Sequence, residues 1–270
     1  MQLELQNYPN KKLIRSFGRI KSRKLSDHKN SLLNNLLPNF EIKNYGKNLD
    51  QISSKSDLSQ SKNIPYVPLT YGRGSPQAWG AARAALPYPK GIKAKNILEI
   101  GFGFGDFIFE KAKQNPTKFF FGCEPHLNGV VNLLAKLEKV PLKNLRISNV
   151  DVRILLGNFP DKFFDEVFIL FPDPWPKIKH FKRRLISLEF LDEILAPKMK
   201  NGATLTLATD HDSYKTWILA QIISSKNFTW NANCKKDWQI FPDDWVITKY
   251  QKKAEIEGRQ SVIFNLTCQN

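Results

Sequence analysis

Chemistry that depends on thiols or metals has little to work with in this chain. It carries 3 cysteines, Cys123, Cys234 and Cys268. The number is odd and no two form a C-x-x-C pair, which argues against a zinc site or a disulfide framework and fits a reducing cytosol. The 4 histidines lack metal-ligand spacing, so no metal is expected. Long apolar runs are missing as well. No segment approaches the roughly 18 consecutive apolar residues of a membrane-spanning helix. The amino terminus, MQLELQNYPNKK, has no apolar core of signal-peptide length. The expectation is a cytoplasmic protein that crosses no membrane. Acid is scarce too: 25 Asp and Glu stand against 41 Lys and Arg, a net charge of +16 with a pI near 9.7. That excess says nothing about fold. It favours an anionic partner, nucleic acid ahead of an anionic membrane surface.

What is present suits an α/β protein. With 270 residues, 41% of them hydrophobic, the chain can bury a sizeable core. Residues 1–63 read as an appendage. Arg15, Arg19, Lys21, Arg23 and Lys24 crowd a basic arm. Leu32, Leu33, Leu36 and Leu37 recur at helical spacing, between a cap at Ser26 or Asp27 and a stop at Pro38. The Ser-, Asn- and Lys-rich stretch 41–63 reads as a linker. Residues 64–270 form the main domain, with a short helix expected near 77–85. From Asn96 onward, NILEIG, KFFFGCE, NLRISNVD, DEVFILF and GATLTLATD read as strands, and amphipathic segments alternate with them; SVIFNLTC closes the chain as a strand. That alternation predicts a doubly wound, mostly parallel sheet. Ligands in such sheets sit beyond the carboxyl ends of the strands, near the switch in strand order.

ILEIGFGFGDF places Gly101, Gly103 and Gly105 between the first strand and the first helix. Glycines there let the backbone turn tightly and approach a ligand. Glu124 ends the second strand, where an acid can accept both hydroxyl protons of a ribose. Together they point to a nucleoside cofactor. The dinucleotide pattern G-x-G-x-x-G is not met, since Asp106 and Phe107 follow Gly105. An acid at the helix start also opposes a pyrophosphate. S-adenosylmethionine carries no phosphate and has a cationic sulfonium, so nearby acids suit it. Glu99 is placed to contact it through its carboxylate and Asp151 to reach the adenine amine. The plain structural alternatives are a strand-end ion pair for Glu99, a first-turn acid for Asp106 and a helix cap for Asp151.

The most unusual stretch is FPDPWPKIKHFKRR, residues 171–184. Pro172, Pro174 and Pro176 each fix φ and restrict the residue before them. Asp173 and Trp175 are therefore expected in extended geometry at the end of the fourth strand. Asp173 is the candidate catalytic residue. Trp175 reads as a core or lid aromatic ahead of a base-stacking one. Lys177, Lys179, Lys182, Arg183 and Arg184 follow, and such a cluster could neutralise phosphates without reading sequence. Asp210 ends the fifth strand and could either face a ligand at that edge or cap the next helix.

On LEIGFGFG, GCEPH, LFPDPWPKIKHFKRR, LATD and TKYQ, the chain resembles the tRNA (guanine-N7-)-methyltransferases of the class I S-adenosylmethionine-dependent fold. The resemblance implies a seven-stranded, Rossmann-like sheet. It implies cofactor contacts from Glu99, Glu124, Asp151 and Asp173, with Asp173 also catalytic. It further implies that Lys177, Asp210, Thr248, Lys249, Tyr250 and Gln251 hold tRNA, at a guanine of the variable loop. Gln251 stands where the family often has Glu. Two competing readings are a non-catalytic RNA-binding module on a vestigial cofactor fold and an NAD-dependent enzyme, the latter opposed by the missing third glycine. A monomer and a homodimer are equally compatible with the sequence.

Overall fold

The computed structural model describes residues 24–42 and 94–270. The arm from Arg15 to Arg23, the linker, the expected domain boundary at 63/64 and the helix expected near 77–85 lie outside the described residues.

The described residues open with α1 (Asp27–Ser31), a π-helical turn over Leu32–Leu36 and α2 (Leu37–Phe40). Ser26 is the cap, its Oγ accepting the Lys29 N–H at 3.4 Å. Pro38 does not stop this helix. It sits at the start of α2, directly after the π-helical turn. Leu32, Leu37 and Phe40 bury against Val130, Leu134 and Leu145. The segment ends by lengthening the sheet: Ile42 N–H donates to Ile147 O at 2.8 Å.

The main body alternates as expected through β1 (Asn96–Ile100), α3 (Asp106–Gln114), β2 (Phe119–Cys123), α4 (Leu127–Lys139), β3 (Leu145–Ser148), α5 (Val152–Leu155) and β4 (Phe164–Leu170). It continues with β5 (Met199–Thr209), α6 (Asp212–Ser224), β6 (Phe228–Trp230), α7 (Lys236–Gln239), α8 (Lys249–Ile256) and β7 (Val262–Cys268). The stretch read as a helix before β5 is wound as a π-helix at Phe190–Leu195 and a tighter turn at Ala196–Lys198. α8 is capped by Thr248, whose Oγ1 accepts the Gln251 N–H at 3.1 Å.

Seven strands form one sheet in the order β3-β2-β1-β4-β5-β7-β6. β7 runs antiparallel to β5, and β6, unread in the sequence, runs antiparallel to β7. All five residues of β1 and of β2 are buried. That is the mark of parallel strands covered on both faces. Strand order reverses between β1 and β4, so their carboxyl ends open a crevice there. The glycine loop, Glu124, Asp173 and Asp210 all lie at this rim.

Candidate active site

A cleft of about 660 Å³ opens at the rim. Gly101, Gly103, Glu124, Asp151, Asp173, Trp175, Arg183 and Tyr250 are among the residues that line it. Gly101, Gly103, Glu124, Asp151 and Asp173, singled out separately in the sequence, thus share one space.

The glycine loop is shaped by backbone conformation. Gly101, Gly103 and Gly105 have φ of 74, 54 and 72°. Gly103 N–H donates to Glu124 Oε2 at 2.9 Å, and His126 N–H donates to Oε1 at 2.8 Å. Both oxygens of Glu124 are thus aimed by backbone donors and keep further lone pairs for a ligand. Burial raises the Glu124 pKa, and these two donors oppose the rise. Gly129, in the first turn of α4, went unread. A Cβ there would lie 2.2 Å from Gly103 O and 2.9 Å from Glu124 Cγ. The available signal was a glycine inside an otherwise strong helical pattern, which marks close approach.

Asp151 does two jobs. Its Oδ1 caps α5 by accepting the Arg153 N–H at 3.0 Å, and both oxygens pair with the Arg153 guanidinium at 2.8 Å. The carboxylate still faces the cleft. Asp106 follows its plain alternative, pairing with Lys136.

Glu99 lies apart from the main cleft. It is 3% exposed and lines a small neighbouring cavity with Thr248 and Lys249. Gly101, Phe104, Leu170 and Tyr250 wall both spaces. Its Oε2 is buried without a hydrogen-bond partner. Burial, and then the charges of Glu124 and Asp106, push its pKa up to about 8 against backbone donation from Ile108. A buried acceptor beside the glycine loop fits a ligand that carries a cation or a polar hydrogen.

The Pro-Asp-Pro-Trp-Pro loop is not extended throughout. Phe171 and Trp175 take φ of 51 and 42°, a region costing bulky residues about 1–3 kcal/mol each. The basic run supplies part of the compensation. Phe171 N–H donates to Ala208 O at 2.8 Å. Arg183 sits 5.0 Å from the Trp175 ring, and His180 meets that ring edge-on at 5.7 Å. Burial and the neighbouring cations, Arg183 foremost among them, lower the His180 pKa. Trp175 is a braced wall of the cleft, in line with the lid reading.

Four expected substrate contacts are corrected. Arg184 is 4% exposed and donates to protein acceptors, so it cannot reach a phosphate. Asp210 accepts from Arg259 Nε at 2.6 Å and does not line the cleft. Gln251 is buried, its Oε1 accepting from Trp245 Nε1 at 2.8 Å and its Nε2 donating to Glu255 at 3.3 Å. Thr248 is buried as the cap of α8. Lys249 lies 4.4 Å from the Phe104 ring, and Tyr250 folds over Gly103. Burial, then Glu124 and Asp173, raise the Tyr250 pKa. Lys177, Lys179 and Lys182 remain exposed.

Among the described residues no cluster of His, Cys, Asp or Glu could hold a metal, and no helix is long and apolar enough to cross a membrane.

A family model described as "Putative methyltransferase" matches residues 93–264. The tRNA (guanine-N(7)-)-methyltransferase of Rhizobium etli is 34% identical over 245 residues, 91% of this chain and 92% of that protein. Its counterpart in Caulobacter vibrioides is 34% identical over 240 residues, 89% of each chain. That of Hyphomonas neptunium is 44% identical over 156 residues, 58% of this chain and 71% of its own. Among solved structures, 16S rRNA methyltransferase KamB superposes with a TM-score of 0.52 at 17% identity, over 73% of this chain and 94% of its own. At that identity the likeness speaks for the fold.

Proposed function

The chain belongs to the tRNA (guanine-N(7)-)-methyltransferases, and from that premise we propose that its rim cleft transfers a methyl group from S-adenosylmethionine to N7 of a guanine in tRNA. The observation that carries this reading is the convergence of Glu124, Asp151 and Asp173 on one cleft beside the glycine loop. Directly after Asp173 comes a run of exposed lysines.

When bound, S-adenosylmethionine supplies an electrophilic methyl group on a sulfonium centre. The residues present fit it. Glu124 offers lone pairs to ribose hydroxyls from a position fixed by Gly103 and His126. Asp151 faces the cleft as an acceptor for an exocyclic amine. Glu99 holds a buried, unpaired oxygen next to Gly101, and a cationic end of the donor would satisfy it. Guanine N7 carries a free lone pair and is an acceptor at neutral pH, so no side chain needs to remove a proton. The protein's task is then positioning and charge. As N7 gains a bond the base becomes cationic. The Asp173 carboxylate, on the cleft wall, stabilises that charge from a fixed position. Trp175, braced by Arg183 and His180, limits where the base can sit. Lys177, Lys179 and Lys182 face solvent beside the cleft, where they neutralise phosphates and set RNA affinity.

The test is incubation of the protein with radiolabelled S-adenosylmethionine and unmodified tRNA transcript. Label should enter the RNA, and borohydride followed by aniline should break the strand at one guanine. Label without guanine-specific breakage would reject the N7 assignment.

A further inference from the structure

We propose that Arg184 is a positioning residue that holds the strained Asp173 loop in its reactive shape, and not a contact to RNA. The proposal rests on the methyl-transfer reading above.

Arg184 follows a short turn at Ile178–Arg183 and points inward. Its guanidinium serves three acceptors on two separate segments. Nε donates to Pro174 O at 2.9 Å. Nη1 donates to Ser213 O at 3.3 Å, and Nη2 to Ser213 Oγ at 3.0 Å. Pro174 directly follows Asp173 in the loop after β4. Ser213 lies in the first turn of α6, beyond β5. The side chain therefore ties the loop after β4 to the first turn of the helix after the neighbouring strand β5.

Three aromatic rings hold the guanidinium in place. Its Cζ lies 3.7 Å from the Phe181 ring centre, 5.0 Å from Tyr214 and 5.1 Å from Trp217. Those rings are anchored in turn. Tyr214 OH accepts the Ile186 N–H at 3.3 Å, and Trp217 Nε1 donates to Ile186 O at 2.6 Å. A planar fork suits this cage and a lysine ammonium does not, because stacking and three divergent donors are both required.

The need for such a clamp follows from the backbone. Phe171 and Trp175, on either side of Asp173, both sit at positive φ. A strained loop relaxes unless its surroundings hold it. Prolines limit where it can go but donate no hydrogen bond. Arg184 supplies a charge-assisted donor at the carbonyl between Asp173 and Trp175. Its loss frees the loop to move Asp173, and a shift of about 1 Å at a reacting group can cost about 10²-fold in rate.

The experiment compares wild type, Arg184→Lys and Ser213→Ala in three measurements. These are single-turnover methyl transfer, tRNA affinity across a salt series, and hydrogen exchange of peptides spanning 165–185. Arg184→Lys should lower the transfer rate about 10²-fold. Affinity for tRNA should stay within about twofold and its salt slope should not change. Exchange should quicken in the 165–185 peptides. Ser213→Ala, which removes one neutral acceptor and is the milder change, should slow transfer by about three- to tenfold. An Arg184→Lys protein with an unchanged rate and a tRNA affinity weakened about tenfold would make Arg184 an RNA contact and overturn the proposal. Unchanged rate and exchange in both variants would overturn it as well. A wild-type protein that methylates no guanine would sink the functional reading alone, and the exchange comparison would still decide the role of Arg184.

Discussion

Asp173 and Glu99 are both acids at the rim, yet their surroundings give them opposite work. Asp173 is exposed on the cleft wall and can meet a developing cation. Replacing it with Asn keeps the shape and removes the charge. Single-turnover transfer should fall on the order of 10²-fold, while S-adenosylmethionine affinity by calorimetry should stay within about threefold. Equal losses in both would contradict a role confined to the transition state. Glu99 is sealed beneath the glycine loop with its pKa raised to about 8 by burial. An acid raised in the folded state stabilises the fold fully below its unfolded value. That contribution is lost as the pH rises through the folded value. The thermal midpoint of the ligand-free protein should therefore fall between about pH 4.5 and pH 8, and Glu99→Gln should flatten the fall. An identical pH dependence in wild type and Glu99→Gln would exclude a buried neutral Glu99.

At the scale of elements, the glycine loop, the start of α4 and the proline-rich loop are set by contacts of different reach. The glycine loop was legible because its residues, strand, turn and helix are contiguous. Its partner Gly129 was not, because the contact with Gly103 O crosses from one helix-start to another. Gly129→Ala should destabilise the protein to urea by roughly 1–3 kcal/mol, the cost of overpacking. It should also weaken S-adenosylmethionine binding about tenfold, equivalent to about 1.4 kcal/mol. Unaltered stability and binding would mean that the approach of α4 is slack. The proline loop was legible as special but not in its conformation. Local rules predict extended residues before proline, and Phe171 and Trp175 depart from them under tertiary restraint. The basic run shows the same limit. A sequence counts charges but does not say which face each takes, so Arg184 read as surface charge. Asp210 and Gln251 failed for a related reason. Their partners Arg259 and Trp245 are set by packing, and no motif spacing announces them.

Across the whole molecule, strand order and charge act together. The alternation of apolar runs was sufficient to predict the parallel half of the sheet. At the antiparallel end β7 was read as a strand but its direction was not, and β6 went unread because it has three residues. The switch between β1 and β4 places every acid of the site at one rim, and the net charge of +16 favours a polyanion arriving there. Replacing Lys177, Lys179 and Lys182 together with Ala should weaken tRNA binding. It should also make the slope of log affinity against log salt shallower by roughly 2 to 3. An unchanged slope would move the RNA path elsewhere on the molecule. The claim beneath all of this is that a lone pair on guanine N7 meets a methyl donor beside Asp173. The most direct measurement is methyl transfer to a tRNA transcript in which every guanosine is replaced by 7-deazaguanosine, which removes that lone pair and leaves the backbone intact. The account predicts that this RNA accepts no methyl group and competes with ordinary tRNA for the protein; transfer to it at the ordinary rate would contradict the account.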